Sequence, residues 1–226
     1  MSTFDKKWED IHRHRQWGKY PNIDVVKFVA RKLYSSSERN NVKILDLGCG
    51  AGANTWFLAK EGFDAYGIDG SKSAVENAYS YIKSSGLEAK FDVGDIAKTP
   101  YDSDYFDAII ECSVLSTNSK SGICAILEEC YRILKPRGVL FSTLLFNAET
   151  SSYGTGTRLE DNTFTDIPVR PFEGLGRVHY FEYKEVLDVF GQAGFKNMQI
   201  DKTTYTENGE EVLVSYYTVH GLKSDM

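Results

Sequence analysis

The stretch KILDLGCGAGANTWFLAKEGFDAYGIDGS, residues 43–71, leaves this chain few folds to choose from. Ile44-Leu45-Asp46-Leu47 is an apolar run of strand length that stops at three glycines in alternate positions, Gly48, Gly50 and Gly52. Thr55-Trp56-Phe57-Leu58-Ala59 then carries apolar residues at helical spacing. Asp64-Ala65-Tyr66-Gly67-Ile68 reads as a second strand, ending on Asp69. Strand, glycine turn, helix, strand and terminal acid make a βαβ unit of the kind that takes a nucleoside ligand. Glycine admits backbone angles closed to other residues and lets a ligand come up against the main chain. A carboxylate ending the second strand can accept both hydroxyls of a ribose.

The unit by itself leaves two ligands open. Gly48-x-Gly50-x-x-Ala53 satisfies the dinucleotide fingerprint, whose third position tolerates alanine. Asp46 beside the turn points instead to a cation, because an acid is a poor neighbour for a pyrophosphate.

The rest of the chain has the rhythm of an α/β domain. Residues 3–20 put Phe4, Trp8, Ile11 and Arg15 on one side of a helix ending near Trp17-Gly18, either packed on the domain or closing over a ligand. His12 and His14 diverge on such a helix and share no metal. A second helix runs from Asn22 to about Tyr34, and 35–41 is a polar linker. Ser71 caps a helix that Gly86 stops. Leu87–Val93 is a short strand closed by Gly94-Asp95-Ile96, and Phe106–Glu111 is the fourth strand. A helix over 121–134, the turn Lys135-Pro136-Arg137-Gly138 and a fifth strand, Val139–Phe146, follow. Residues 147–177 are polar, glycine-rich and irregular, which in a compact domain points to a functional loop. After a helix over 184–193, two strands are joined by Asn208-Gly209, a strong hairpin signal.

At 226 residues the chain suits one α/β domain with a modest addition, and 42% hydrophobic content supplies a full core. A net charge of −6 argues against a general nucleic-acid binder. Cys49, Cys112, Cys124 and Cys130 have no zinc or disulfide spacing. No apolar run spans a bilayer and the N-terminus is no signal peptide, so a cytoplasmic protein is expected.

Taken in order, these motifs resemble the class I S-adenosylmethionine-dependent methyltransferases over roughly residues 42–220, with a looser similarity to a bacterial small-molecule branch. ILDLGCGAG looks like motif I, Ile68-Asp69-Gly70-Ser71 like the ribose-binding acid with its following serine, and Gly94-Asp95-Ile96 like the turn that meets the adenine. Phe106–Ile110 is similar to motif IV. The resemblance implies an α/β, Rossmann-like seven-stranded sheet, mostly parallel, with an antiparallel strand from the C-terminal hairpin and helices on both sides. It divides the chain into an N-terminal helical lid, 1–41, and a methyltransferase domain, 42–226, with a substrate-loop insertion at 147–181.

The implied cofactor is S-adenosylmethionine, bound by Trp17, Tyr20, Asp46, Gly48, Gly50, Gly52, Asp69, Gly70, Ser71, Asp95, Ile96 and Glu111, with no metal. The implied reaction moves a methyl group to an oxygen, nitrogen or carbon of a small molecule, a sugar or carboxylate-bearing metabolite among the options. Many relatives carry a histidine after motif IV where this chain has Val114-Leu115-Ser116-Thr117, so any such role passes to Thr117, Asn118 or another residue. His179, at the end of the long loop, is the expected general base because imidazole titrates near neutrality. Arg158, Arg170 and Arg177 are candidates for an anionic acceptor. A monomer or homodimer without nucleic-acid or membrane partners is expected. A nicotinamide-dependent oxidoreductase and a non-catalytic S-adenosylmethionine-binding module stay open beside the methyltransferase.

Overall fold

The computed structural model describes residues 3–15 and 17–225. Its elements in chain order are α1 (Lys7–His14), α2 (Ile23–Lys32), β1 (Lys43–Leu47), α3 (Ala53–Lys60), β2 (Asp64–Asp69), α4 (Lys72–Ser84), β3 (Lys90–Val93) and β4 (Phe106–Cys112). There follow α5 (Lys120–Ile133), β5 (Leu134–Phe146), β6 (Thr157–Glu160), β7 (Thr163–Thr165), β8 (Val178–His179), α6 (Tyr183–Gln192), β9 (Lys196–Glu207) and β10 (Val212–Leu222).

The main sheet has the order β3-β2-β1-β4-β5-β10-β9. β1, β2, β3, β4 and β5 pair in parallel, and β10 enters antiparallel between β5 and β9. The Rossmann-like seven-stranded sheet expected from the sequence is therefore present, and the hairpin at Asn208-Gly209 supplies the antiparallel strand. Chain direction alternates sides: Leu45 and Leu47 pack with Ile109, Ile126, Phe181 and Phe190, while Ile44 packs with Val25, Phe28, Phe57 and Ile110 on the other face. The period-two alternation of strand side chains thus divides one strand between two cores.

Three expectations change. The first helix is shorter than 3–20, because Arg15 turns extended (φ −116°, ψ 128°) and the chain runs on through Trp17 to Tyr20 without helix. The Lys135–Gly138 turn lies within β5, with Arg137 at φ 64°. Residues 147–181 carry regular structure: β6, β7 and β8 form a small antiparallel sheet, and Phe164, Ile167, Phe172, Val178 and Tyr180 of this segment share a core with Phe146 of β5 and Val212, Val214 and Tyr216 of β10. Strands of two to four residues are too short to show as alternation.

Candidate active site

The three glycines of the turn after β1 all have positive φ, from 50° to 85°. Gly48 N and Cys49 N donate to Ile68 O (2.8 and 3.0 Å), which ties the turn to β2. A Cβ on Gly48 would lie 2.3 Å from a Val114 methyl, and one on Gly52 would lie 2.8 Å from Ala78 Cβ. Gly52 therefore lets α3 start against α4. At Gly50 the nearest atom to such a Cβ is His12 Cε1 at 3.4 Å.

A cavity of about 480 Å³ opens over this turn, within the usual range for small-molecule sites. Of the residues expected at the site, Gly48, Gly50, Asp69, Gly70, Ile96, Thr117, Trp17 and Tyr20 line it. Asp69 accepts Gly50 N on Oδ2 (2.9 Å) and Ser71 N on Oδ1 (2.8 Å), so the acid braces the loops on both sides. Each carboxylate oxygen has a second lone pair left for a ligand.

Other expected residues do not reach the cavity wall, each for a local reason. Asp46 is buried beneath the turn and accepts Thr55 N (2.9 Å) and Thr55 Oγ1 (2.6 Å), anchoring the first turn of α3. Burial pushes its pKa up to about 6 against the pull of those donors. Ser71 is the buried N-cap of α4, accepting Ala74 N at 3.1 Å. Glu111 is spent on its own neighbourhood: Oε1 accepts Val114 N and Leu115 N, and Oε2 accepts Ser142 Oγ. Its pKa rises to about 7 because it is fully enclosed. Asp95 accepts Thr3 N (3.1 Å), Thr3 Oγ1 (2.6 Å) and Ala97 N (3.0 Å), while its neighbours Gly94 and Ile96 face the cavity.

His179 is the clearest correction. It is fully buried in the insertion, with Nδ1 on Thr163 Oγ1 (2.7 Å) and Nε2 on Glu185 Oε1 (3.1 Å). Its ring meets Phe181 edge-on at 4.7 Å. Both nitrogens are used, and the residue is not on the cavity wall. Within the insertion only Leu175 lines the cavity, and none of Arg158, Arg170 and Arg177 does. No lysine or arginine is among the described residues that line it.

What the sequence reading missed is the reach of the N-terminal segment. Phe4 sits on Gly70, 2.2 Å from where a Cβ there would be. Glu9 accepts from Ser71 Oγ (2.7 Å) and Ser73 Oγ (2.6 Å), and those hydroxyls hold its pKa down at about 2. Trp8, His12 and Trp17 pack ring against ring at 5.6–6.2 Å, and all three line the cavity. The amphipathic stripe gave Trp8 but not His12. On the opposite wall, Thr117 Oγ1 and Asn118 Nδ2 both donate to Val114 O at 2.9 Å.

Four buried side-chain atoms among the described residues have no hydrogen-bond partner: His12 Nδ1, Trp17 Nε1, Trp56 Nε1 and Asn118 Oδ1. Three of the four side chains line this one cavity. An unmet polar atom costs about 1–3 kcal/mol, and these atoms are themselves enclosed within the wall. The thiols of buried Cys49 and half-buried Cys112 are pushed upward by desolvation and stay protonated at neutral pH. No cluster of metal-ligating side chains occurs among the described residues, and none of their helices is long and apolar enough to cross a membrane.

Residues 44–138 match the family model described as a methyltransferase domain. That stretch of the chain, from β1 into β5, is similar to methyltransferase domains. Methyltransferase GfsG of Streptomyces halstedii is 34% identical over 103 residues, 43% of this chain and 36% of that protein. The ubiquinone biosynthesis O-methyltransferase of Rickettsia prowazekii is 28% identical over 160 residues, 64% of this chain and 61% of that protein. The chain spans about half the length, or less, of the first relatives it matches. The solved SAM-dependent methyltransferase of Methanosarcina mazei shares the fold with a TM-score of 0.70 at 21% identity, over 81% of this chain and 93% of that one.

The cofactor that the methyltransferase-domain match implies is S-adenosylmethionine, and the residues present fit it. The cavity offers positive-φ glycines at Gly48 and Gly50, an acid at the end of β2 and the apolar Ile96.

Proposed function

We propose that this chain transfers a methyl group from S-adenosylmethionine to a small molecule held in the cavity over the glycine turn. The observation that carries the reading is the convergence of Gly48, Gly50, Asp69, Gly70 and Ile96 on one cavity at the ends of β1, β2 and β3. When bound, the cofactor supplies a methyl group already activated by its sulfonium, so the protein's work is positioning and water exclusion.

In this reading Asp69 accepts the ribose hydroxyls, and Gly70 and Ile96 flank the adenine. Gly48 and Gly50 admit the ligand to the main chain. The Trp17 ring walls the cofactor's side of the cavity, and exposed Tyr20 stands at the mouth. Asp46, Gly52, Ser71 and Glu111 hold the turn, the helices and the 115–117 segment that shape the wall. The segment from Thr3 to Tyr20 is the lid, latched through Thr3 to Asp95 and Glu9 to Ser71 and Ser73. Thr117 and Asn118 face the acceptor. The Thr117 proton is committed to Val114 O, so this hydroxyl positions rather than removes a proton. A wall free of lysine and arginine among the described residues favours a neutral acceptor over an anionic one.

Calorimetry with S-adenosylhomocysteine and, separately, NADH tests the reading. Micromolar binding of the first and none of the second is expected. Binding of NADH alone would replace the methyltransferase by an oxidoreductase. Cofactor binding with no turnover over a broad acceptor panel would leave a sensing module.

A further inference from the structure

The cavity wall combines carboxylates and aromatic rings with, among the described residues, no lysine or arginine. Asp69 is braced by Gly50 N and Ser71 N, at the end read above as the ribose site. Asp5, the other acid on the wall, stands where the lid meets the insertion. Its Oδ1 accepts Lys7 N at 3.0 Å. Its Oδ2 has no donor and no ion pair among the described residues, and it is not one of the fully enclosed atoms. Asp5 Oδ2 and Trp8 Nε1 flank Gly176, lying 3.1 and 3.9 Å from where a Cβ there would be. Leu175 lines the cavity beside them, and Arg177 Nε donates to Thr117 O (3.4 Å), on the side read as the acceptor's.

The cations of the lid stay off this wall. Lys7 Nζ donates to Leu175 O at 2.9 Å, exposed Arg15 lies over the Trp17 ring at 4.8 Å, and Lys19 Nζ lies over Tyr81 at 5.6 Å. What faces the ligand is acid at Asp5 and Asp69 and the rings of Phe4, Trp8, Trp17 and Tyr20. Carboxylates and ring faces both attract positive charge.

Charge then separates the nucleophiles. A neutral amine that takes the methyl group becomes an ammonium while the sulfonium becomes a neutral thioether. The cavity thus holds one positive charge before the transfer and one after it. A hydroxyl instead has to lose a proton as it is methylated, and the described groups on the wall are poorly placed to take it. The His12 ring lies over Gly50, at the cofactor's end, and the Thr117 proton is committed to Val114 O. His179 is off the wall with both nitrogens paired, and the Cys49 and Cys112 thiols stay protonated. A carboxylate such as Asp5 is a weak base toward an alcohol.

Resting on the reading of this cavity as the S-adenosylmethionine site, we propose that the methyl acceptor is an amine, which reacts in its neutral form, and that Asp5 and the Trp8 ring hold the nitrogen as it becomes cationic. The amine sheds its proton to solvent before it enters, since an ammonium would meet a sulfonium of like charge. Its lone pair forms the new bond to the methyl carbon as the carbon–sulfur bond breaks and leaves its electron pair on sulfur. The products are a methylated ammonium and a neutral thioether. A tertiary amine ends as the quaternary ion, and a primary or secondary amine gives its extra proton to solvent once it has left.

The test uses the full chain with N,N-dimethylbenzylamine and benzyl alcohol as methyl acceptors, radiolabelled S-adenosylmethionine, and benzyltrimethylammonium as a cation that cannot be methylated. The parent protein methylates the amine and not the alcohol, at a rate that rises with pH as the amine loses its proton. By calorimetry, benzyltrimethylammonium binds the S-adenosylhomocysteine complex about tenfold or more tighter than the S-adenosylmethionine complex, because the sulfonium repels it. Asp5→Asn keeps an oxygen for Lys7 N but removes the charge. It weakens benzyltrimethylammonium binding about tenfold and leaves S-adenosylhomocysteine affinity within about threefold of the parent.

Methylation of the alcohol, failure to methylate the amine, equal affinity for benzyltrimethylammonium in the two complexes, or Asp5→Asn binding it as the parent does each overturns the proposal. Failure of the parent protein to bind S-adenosylhomocysteine defeats the underlying cofactor reading instead, so the two failures are told apart.

Discussion

Replacing Glu111 by glutamine should stabilise this protein far more at pH 8 than at pH 5. Glu111 is 1% exposed, and its carboxylate is enclosed by Val114 N, Leu115 N and Ser142 Oγ. Burial outweighs those donors and moves its pKa from 4.5 to about 7. The sign follows from proton binding. Below pH 4.5 the carboxyl is protonated in both folded and unfolded chains, so ionisation takes nothing from stability. Between 4.5 and 7 the folded chain holds a proton that the unfolded chain has lost, and stability falls by about 1.4 kcal/mol per pH unit. The loss is complete above pH 7, at about 3 kcal/mol. A glutamine keeps the geometry: Oε1 accepts the two backbone N–H groups, and Nε2 donates to Ser142 Oγ, whose hydroxyl can rotate. Urea unfolding of parent and variant at pH 5 and 8 measures the effect, and the expected difference of differences is about 2–3 kcal/mol. S-adenosylhomocysteine affinity should stay within a few-fold, because Glu111 is off the cavity wall. Parallel pH profiles for parent and variant, or a large loss of affinity, would refute the reasoning.

Asp69→Ala should weaken S-adenosylhomocysteine binding about tenfold to a hundredfold, the equivalent of roughly 1.5–3 kcal/mol in charge-assisted hydrogen bonds; an unchanged dissociation constant in a folded variant speaks against a ribose at this acid. Glu9→Gln should speed amide hydrogen exchange over residues 3–15, since the Ser71 and Ser73 hydroxyls hold this carboxylate at a pKa of about 2. For the same reason the latch is at full strength above pH 4.5 and is lost as pH falls toward 2; identical exchange in the two proteins would show that Glu9 latches nothing. Gly52→Val combines a φ of 85° with a side chain driven into Ala78, so the unfolding midpoint should drop by an amount worth about 1–3 kcal/mol or more, and a midpoint equal to the parent's would contradict the packing. His179→Gln should lower stability without altering the pH profile of turnover; disappearance of an acid limb from that profile would restore His179 as the base.

The βαβ unit was legible from residues 43–71 because its determinants are local. Apolar alternation sets β1 and β2, helical spacing sets α3, and three positive-φ positions demand glycine whatever surrounds them. The hairpin at Asn208-Gly209 is equally local, and it places the antiparallel β10. Which acids face the ligand was not local. Asp46, Asp69, Asp95 and Glu111 all end strands or follow them, yet only Asp69 lines the cavity. The other three are captured by Thr55, by Thr3 and by Val114, Leu115 and Ser142. Thr3 and Asp95 stand 92 residues apart, a distance over which no periodicity carries. That His12 lines the cavity and His179 does not was no more local. A histidine's chemistry depends on whether its nitrogens are already paired, and only the packing of Thr163 and Glu185 around one, and of two tryptophans around the other, decided that.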